Sequence, residues 1–139
     1  MLKMIFVSLP VVNLDASIAF YKAVGFENNP HFTDATAACM VWSEAIHIML
    51  ITHEKWRTFT TRPIPPTTSS EVALNLSCDN RELVDAMNEA AAANGGTADI
   101  NPVQDLGFMY SRDMMDLDGH ILGAMWMDPA AIPSGDIEK

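Results

Sequence analysis

Residues 6–26 read FVSLPVVNLDASIAFYKAVGF, and they contain the strongest structural signal in the sequence. Its first part is apolar and rich in β-branched residues, so it predicts a strand over residues 4–12. Asp15 is then a predicted helix N-cap, and Gly25 stands where a helix-ending glycine belongs. Apolar residues recur at helical spacing between them: Leu14, Ile18 and Tyr21. The first unit of the fold is therefore a strand that leads directly into an amphipathic helix.

The rest of the chain continues and then repeats this order. After residue 25, the pattern predicts a short irregular strand over residues 26–32, strands over 37–42 and 46–52, and a short helix over 53–59. A new strand begins at residue 71, and a second amphipathic helix follows Asp79 and ends at Gly95. Three more strands are predicted over residues 97–100, 109–114 and 121–127, with Asp118 and Gly119 as a hairpin turn.

The fold class that follows is α+β, built from paired βαβββ modules in one domain over residues 1–130. Module 1 covers about residues 1–59, and module 2 covers about residues 71–128. Residues 60–70 hold three prolines and six serines or threonines, a composition that predicts a linker. Residues 129–139 are predicted to form a tail. Two curved sheets of this kind can enclose a cleft, which is where ligands usually bind.

Composition narrows the class of partner. The chain of 139 residues has 18 acidic and 8 basic side chains, and its formal net charge of −10 disfavours nucleic acid and anionic membrane surfaces. No apolar run is long enough to predict a membrane-spanning helix. Cys39 and Cys78 lie in apolar or strand-like runs, so we predict two reduced thiols in a cytoplasmic protein.

Three stretches together resemble the vicinal-oxygen-chelate superfamily, the group of glyoxalases, bleomycin-resistance proteins and extradiol dioxygenases. Residues 6–26 are similar to its opening strand and helix, with the pattern D-x-x-x-S-x-x-F-Y-x-x-x-G-F partly kept. Residues 72–96 resemble the equivalent strand and helix of its second module. Residues 116–125, DLDGHILGAM, resemble its closing D-P-D-G hairpin, with Leu117 in place of the proline. The resemblance implies a homodimer that binds a small molecule.

The resemblance also implies a metal site in many members, with ligands from the first and last strands of each module. The corresponding positions in this chain are Phe6, Ala73, Gly123 and one residue of 47–49, where the register leaves His47, Ile48 and Met49 open. A divalent metal needs three or four N, O or S ligands, and one histidine cannot hold it. We therefore expect no cofactor and no metal at this place, with a divalent metal on non-standard ligands as the alternative.

Six residues are candidates for the ligand site. His47 is the candidate acid or base because the histidine pKa lies near neutrality, although it could equally point away from the cleft. The candidate ligand-binding residues are Ser8, Asn75, Tyr110, Arg112 and Trp42. Each has a structural alternative: Ser8 and Asn75 could satisfy backbone groups, Arg112 could pair with Asp113 or Asp116, and the aromatic residues could fill the core.

Two kinds of function follow from these residues. The first is a glyoxalase- or bleomycin-resistance-like protein that binds a small molecule between its modules without the usual metal. The second is an enzyme, either a metal-independent lyase or isomerase that uses His47, or a metal-dependent glyoxalase- or dioxygenase-type enzyme with non-standard ligands. The sequence does not decide between binding and catalysis, and it does not identify the ligand.

Overall fold

The computed structural model describes residues 1–131 of the chain. The first half contains strands β1 (Ile5–Val11), β2 (Glu27–Asn29), β3 (Ala37–Ser43) and β4 (Ile46–Thr52), with helices α1 (Leu14–Ala23) and α2 (His53–Phe59). The second half contains β5 (Ala73–Ser77), β6 (Thr97–Ala98), β7 (Gln104–Asp105), β8 (Met109–Met115) and β9 (Ile121–Met127), with helix α3 (Arg81–Ala93). The predicted tail falls mostly outside these residues, since only its start, Pro129–Ala131, is described as a short 3-10 helix.

Both halves have the same sheet topology, which confirms the predicted α+β class with paired βαβββ modules. The first sheet has the order β1-β4-β3-β2, and the second has the order β5-β9-β8-β6. In each sheet the first strand pairs in parallel with the last one, and the other pairs are antiparallel. The second sheet also has the short strand β7 beside β8, which the sequence pattern did not predict.

The two long helices begin at asparagines. Asn13 and Asn80 have extended backbones, and each side-chain oxygen accepts a hydrogen bond from the N–H three residues on, at 3.0 and 2.8 Å. A residue in this position satisfies one of the free N–H groups of the first turn. The predicted cap Asp15 was therefore wrong, because Asp15 lies inside α1. Asp79, after which the second helix was predicted, lies one residue before the cap of α3.

In residues 1–131, each sheet packs one face against a long helix, α1 or α3, and we call this the helix face. We call the opposite face the open face. Residues alternate between the two faces along each strand. In the first sheet the helix face includes the buried Ile48 and Leu50, and the open face includes Phe6, His47 and Met49. In the second sheet the helix face includes Leu76, Met114 and Leu122, and the open face includes Asn75, Asp113 and Gly123.

The core is one apolar cluster that spans both halves. Its fully buried members come from α1, from the helix faces of both sheets and from α3, as shown by Phe20, Met40, Leu50, Val84 and Leu122. Burying a side chain of this size stabilises the fold by roughly 1.5–3 kcal/mol. The two modules are therefore held together by a shared interior as well as by the chain that joins them.

A hairpin of the second half closes onto the first helix. The Tyr21 hydroxyl donates to Asp116 Oδ2 at 2.6 Å, and the Val12 N–H donates to Asp118 Oδ1 at 2.9 Å. His120 Nε2 lies 2.8 Å from the Pro10 carbonyl oxygen, to which a protonated Nε2 donates. These contacts, which we call the hairpin clasp, fix the end of β8 and the start of β9 against the junction of β1 and α1.

The linker also rests on this hairpin. Residues 60–72 contain no helix or strand, and the Thr67 carbonyl oxygen lies where a Cβ on Gly119 would be. Gly119 has φ = +84°, a left-handed conformation that glycine adopts without strain. The predicted turn glycine therefore serves twice, since it forms the hairpin and lets the linker backbone approach.

Candidate functional site

A hollow of about 410 Å³ lies on the open face of the second sheet. Strands β5, β8 and β9 form its floor, and residues 101–104 form one wall. Its lining contains three amide side chains, one hydroxyl, one carboxylate and two thioethers: Asn75, Asn101, Gln104, Ser111, Asp113, Met109 and Met125. Ligand sites commonly have about 300–1,000 Å³, so this hollow has the size of such a site, and its lining is more polar than is usual.

Several polar side chains of this hollow are not used by the described part of the chain. The Asn75 amide, the Gln104 amide and the Ser111 hydroxyl form no side-chain hydrogen bond to any residue in 1–131. In contrast, Asp113 accepts a hydrogen bond from Asn101 Nδ2 at 2.9 Å, which leaves its Oδ1 free of side-chain donors. Donors and acceptors that the fold does not use are available to a ligand.

Gly123 makes room for two of these groups. A Cβ at this position would overlap Asn75 Oδ1 and would lie 3.1 Å from Asp113 Oδ1. The register explains the contact, because Gly123 pairs with Asn75 on one side and with Asp113 on the other. The glycine at the predicted ligand position is therefore the gap into which the Asn75 amide fits, and any larger residue would displace that amide.

His47 lies on the open face of the first sheet, but its ring is engaged by the protein itself. Its Nε2 lies 2.9 Å from the Glu44 carbonyl oxygen, and its Nδ1 lies 3.8 Å from Cys39 Sγ. The Phe6 ring stacks on it at 4.6 Å between centroids, and only 8% of the residue is exposed. This geometry supports a structural role for His47 rather than the predicted acid or base role, since neither nitrogen faces an open space.

Tyr110 and Arg112 lie on the helix face, so the prediction that they line the cleft was wrong. Arg112 donates to Asp85 at 2.8 Å and to Asp99 at 2.7 Å, and the Tyr110 hydroxyl donates to Asp85 at 2.6 Å. The pKa of Asp85 is lowered by the hydrogen bond from Tyr110 and then by that from Arg112. The two residues do share one side of β8, as alternation requires, but that side packs against α3.

Trp42 and Ser8 also lie away from the second-sheet hollow. Trp42 points to the helix side, with its ring 5.0 Å from the Phe26 ring, because it alternates in phase with the buried Met40. Ser8 is exposed on the open face of β1 and lines a different hollow of about 540 Å³ beneath the linker, with Trp56 and Arg62. Of the predicted site residues, only Asn75 therefore lines the hollow on the second sheet.

Two residues that line the hollow and were not predicted from the sequence are explained by the same alternation of side chains along β8. Ser111 and Asp113 are neighbours of Tyr110 and Arg112 on β8, but they lie on the other face. The pairing of Asp113 with Gly123 was the available signal, since Gly123 was already placed toward the cleft. Asn101 and Gln104 could not be found this way, because they come from a polar segment with no strand-like pattern.

The expected ligand positions do not form a metal site. Phe6, Ala73 and Gly123 have no donor atom in their side chains, and the register puts Ile48 on the helix face, which leaves His47 and Met49. Within residues 1–131, no group of three or more His, Cys, Asp or Glu side chains is placed to hold a metal ion. Because a divalent metal needs three or four donors, the residues present do not fit one here.

Comparison with solved structures identifies the fold. A glyoxalase/bleomycin resistance protein/dioxygenase family enzyme from Burkholderia phytofirmans PsJN is similar over 88% of this chain and 96% of its own, with a TM-score of 0.75 and 20% identity. A glyoxalase-related enzyme from Fulvimarina pelagi is similar over 98% and 94%, with a TM-score of 0.76 and 17% identity. The chain has the glyoxalase/bleomycin resistance/dioxygenase fold.

An antibiotic-binding protein, TnmS3 from Streptomyces sp. CB03234, has this fold as well. It is similar over 91% of this chain and 97% of its own, with a TM-score of 0.63 and 19% identity. No family model and no curated protein matches the sequence. Structures with the glyoxalase/bleomycin resistance/dioxygenase fold therefore include both enzymes and binding proteins.

None of the helices in residues 1–131 has the length and apolar character needed to cross a membrane.

Proposed function

We propose that this chain is a vicinal-oxygen-chelate protein that binds a small organic molecule in the open hollow of its second sheet, without a catalytic metal. The observation that carries this proposal is the set of unpaired polar groups on Asn75, Gln104 and Ser111, which face one hollow together. The Burkholderia and Fulvimarina enzymes and TnmS3 support the fold, and TnmS3 is described as an antibiotic-binding protein.

The lining predicts a neutral or cationic ligand that bears amide or hydroxyl groups. Amide side chains both donate and accept hydrogen bonds, so they suit such groups. Asp113 is the one charged residue of the lining, and the net charge of −10 adds a long-range attraction for cations. Met109 and Met125 offer flexible thioether surface for an apolar part of the ligand.

Ligand titrations test this proposal. We expect at least one member of a panel of amide-bearing antibiotics, beginning with metal-free bleomycin, to raise the melting temperature and to bind in calorimetry. Asn75→Ala and Ser111→Ala should each weaken that binding by about tenfold, because each removes a hydrogen bond to a polar ligand group. Binding should be equal with and without EDTA.

Arg112→Met is the matched control for the titrations. Arg112 lies on the same strand as Ser111 but on the helix face, so its loss should lower stability and leave ligand affinity unchanged. Affinity that survives in Asn75→Ala and Ser111→Ala, or binding that EDTA abolishes, would contradict the proposed site.

Three further properties of the protein are also proposals. We propose a homodimer, a cytoplasmic location and no binding of nucleic acid. The free cysteines Cys39 and Cys78 support the cytoplasmic location, and the acidic net charge supports the absence of nucleic-acid binding. The exposed apolar residues at the sheet edges support the homodimer.

A further inference from the structure

A second hollow, of about 500 Å³, lies on the helix side of the molecule, where the end of α1 approaches the start of α3. The first half contributes Gly25 and Trp42 to it, and the second half contributes Cys78, Leu83 and Met87. None of these residues lines the open hollow of the second sheet. The two hollows are therefore separate places on the protein, and we call this one the helix-side hollow.

Trp42 is held in a fixed position at this hollow. Gly25 has φ = +120°, and a Cβ there would lie 3.3 Å from the Trp42 ring. The Phe26 ring also lies beside it, with 5.0 Å between the ring centroids and an angle of 51° between the planes. The indole is thus supported by Gly25 and Phe26 while it still lines the hollow. An aromatic side chain that is already ordered loses little entropy when a ligand stacks on it.

The counterpart of the helix-side hollow lies at the junction of β1 and α1, and there the protein's own side chains fill the space. There the hairpin clasp brings Asp118 to the Val12 N–H at 2.9 Å and Asp116 to the Tyr21 hydroxyl at 2.6 Å. Val12 and Asp79 correspond, because each precedes the asparagine that caps the helix. Within residues 1–131, no side chain of the first half forms a hydrogen bond at residues 77–79. The helix-side hollow therefore stays open where its counterpart is closed.

The lining of this hollow combines apolar walls with one anionic group. Leu83 is 45% exposed although it is a large apolar residue, and Met87 lies beside it. Burial raises the pKa of the Cys78 thiol, so at neutral pH it is an uncharged part of the wall. The Asp79 carboxylate has no ion pair or hydrogen bond to any side chain in residues 1–131. A tryptophan beside a free carboxylate favours a positively charged aromatic group.

We propose that the helix-side hollow binds a flat aromatic cation, which stacks on Trp42 and places its charge toward Asp79. This site is independent of the hollow on the second sheet, and it gives Trp42 a ligand-binding role on the face opposite to the one expected from the sequence. Leu83 and Met87 bury the edges of the ring system, and the thiol of Cys78 adds polarizable surface.

Calorimetry with N-methylquinolinium, and with its uncharged parent quinoline at pH 8, tests the proposal. We expect the cation to bind about tenfold tighter than quinoline, since quinoline lacks the charge that Trp42 and Asp79 favour. Asp79→Asn should weaken the cation by about threefold to fivefold. Trp42→Phe should weaken it by about threefold, because phenylalanine binds cations less well than tryptophan.

Two matched variants and one variant of the other site complete the experiment. Asp15→Asn removes an exposed charge on α1, and Trp126→Phe alters an aromatic residue on β9, so neither should change the affinity. Asn75→Ala acts on the open hollow and should also leave it unchanged. The proposal is overturned if both probes bind equally or if the cation does not bind. It is also overturned if either Asp79→Asn or Trp42→Phe keeps wild-type affinity for the cation. Loss of binding in Asn75→Ala overturns it as well, because the cation would then occupy the open hollow.

Discussion

Asn75, Asp113 and Gly123 show how single residues determine what the open hollow can bind. Gly123 lies between the other two across three neighbouring strands, and its missing side chain leaves the space that the Asn75 amide occupies. The hollow therefore presents an amide and a carboxylate at a place where the resemblance implies a metal ligand. The same residue accounts both for the poor fit to a metal and for the polar lining that supports binding of an organic molecule.

We predict that Gly123→Ala destabilises the protein by about 1–2 kcal/mol, because the new methyl group forces the Asn75 amide out of its place. In an Asn75→Ala background the same change should be nearly neutral, since the overlapping atom is gone. Urea unfolding of the four proteins of this double-mutant cycle gives the coupling directly. An equal cost in both backgrounds would show that Asn75 is not the residue that Gly123 accommodates.

The face of a strand on which a single residue lies could not be predicted from the sequence alone. Alternation along β8 correctly groups Tyr110 with Arg112, but it cannot say which side of the strand a helix will cover. That side depends on contacts with α3, where Asp85 satisfies both residues, and Asp85 is distant from them in sequence. Arginine and tyrosine suit a ligand cleft and a buried polar network equally well, so residue type did not decide the matter.

Elements were more predictable than side-chain directions. Strands β4 and β9 match the ranges expected from the sequence, because their apolar runs are long and turns precede them. Helix α2 also matches its expected range and begins after the cap Thr52. Strand β7 was missed because it has two polar residues and exists only through its pairing with β8. Elements that depend on tertiary pairing carry little local signal.

The hairpin clasp is the contact between elements that should respond most to pH. Asp116 is buried, and this burial raises its pKa, while burial and the neighbouring Asp116 raise the pKa of Tyr21 well above its usual value. Tyr21 therefore remains a donor at neutral pH. A raised aspartate pKa contributes stability that is fully present below the unfolded pKa and is lost as the pH rises through the folded pKa. The ionised carboxylate is the costly form, and the Tyr21 hydroxyl offsets part of that cost.

We predict that Tyr21→Phe lowers the free energy of unfolding by about 1–3 kcal/mol at pH 7, because a buried carboxylate loses a donor. The penalty should shrink as the pH falls through the raised pKa of Asp116, where the carboxyl becomes neutral. Denaturant unfolding between pH 7 and pH 5 measures this trend.

Tyr110→Phe is the matched control, because its hydroxyl also donates to an aspartate at 2.6 Å. Asp85 is near the surface and keeps its bond to Arg112, so the penalty should be no more than about 1 kcal/mol. The pKa of Asp85 is lowered, so its contribution to stability is present above the unfolded pKa and is lost only as the pH falls through the folded pKa. The control should therefore be flat between pH 7 and pH 5. A Tyr21→Phe penalty that is equally flat would contradict the role assigned to Asp116.

At the scale of the whole molecule, both open faces have exposed residues, among them Phe6, Ser8 and Asn75. Strands β1 and β5 are both edge strands, and each begins near exposed apolar residues, with Phe6 56% and Val72 58% exposed. The hollow of about 540 Å³ that Ser8 lines and the hollow of about 410 Å³ that Asn75 lines share no residue. Apolar residues at exposed sheet edges favour association with another chain.

We predict that the protein is a dimer in light scattering at micromolar concentration and that Phe6→Ser weakens the dimer by at least about tenfold, because each subunit loses a buried ring at the interface. Phe59→Ser is the matched control, since Phe59 is 62% exposed but lies on α2 rather than on the open face. A monomeric wild-type protein, or an equal effect of the two substitutions, would count against this interface.

The contact between Gly119 and Thr67 makes the two halves unequal. The hairpin glycine of the second half lies against the backbone of the connecting segment, whereas the matching turn of the first half, at Glu44 and Ala45, contains no glycine. In a chain with the halves in exchanged order, the segment that joins them would not pass over Gly119. The glycine would then only add conformational freedom to its turn. The twofold likeness thus describes the path of the backbone, while the contact between Gly119 and Thr67 depends on the order in which the halves are joined.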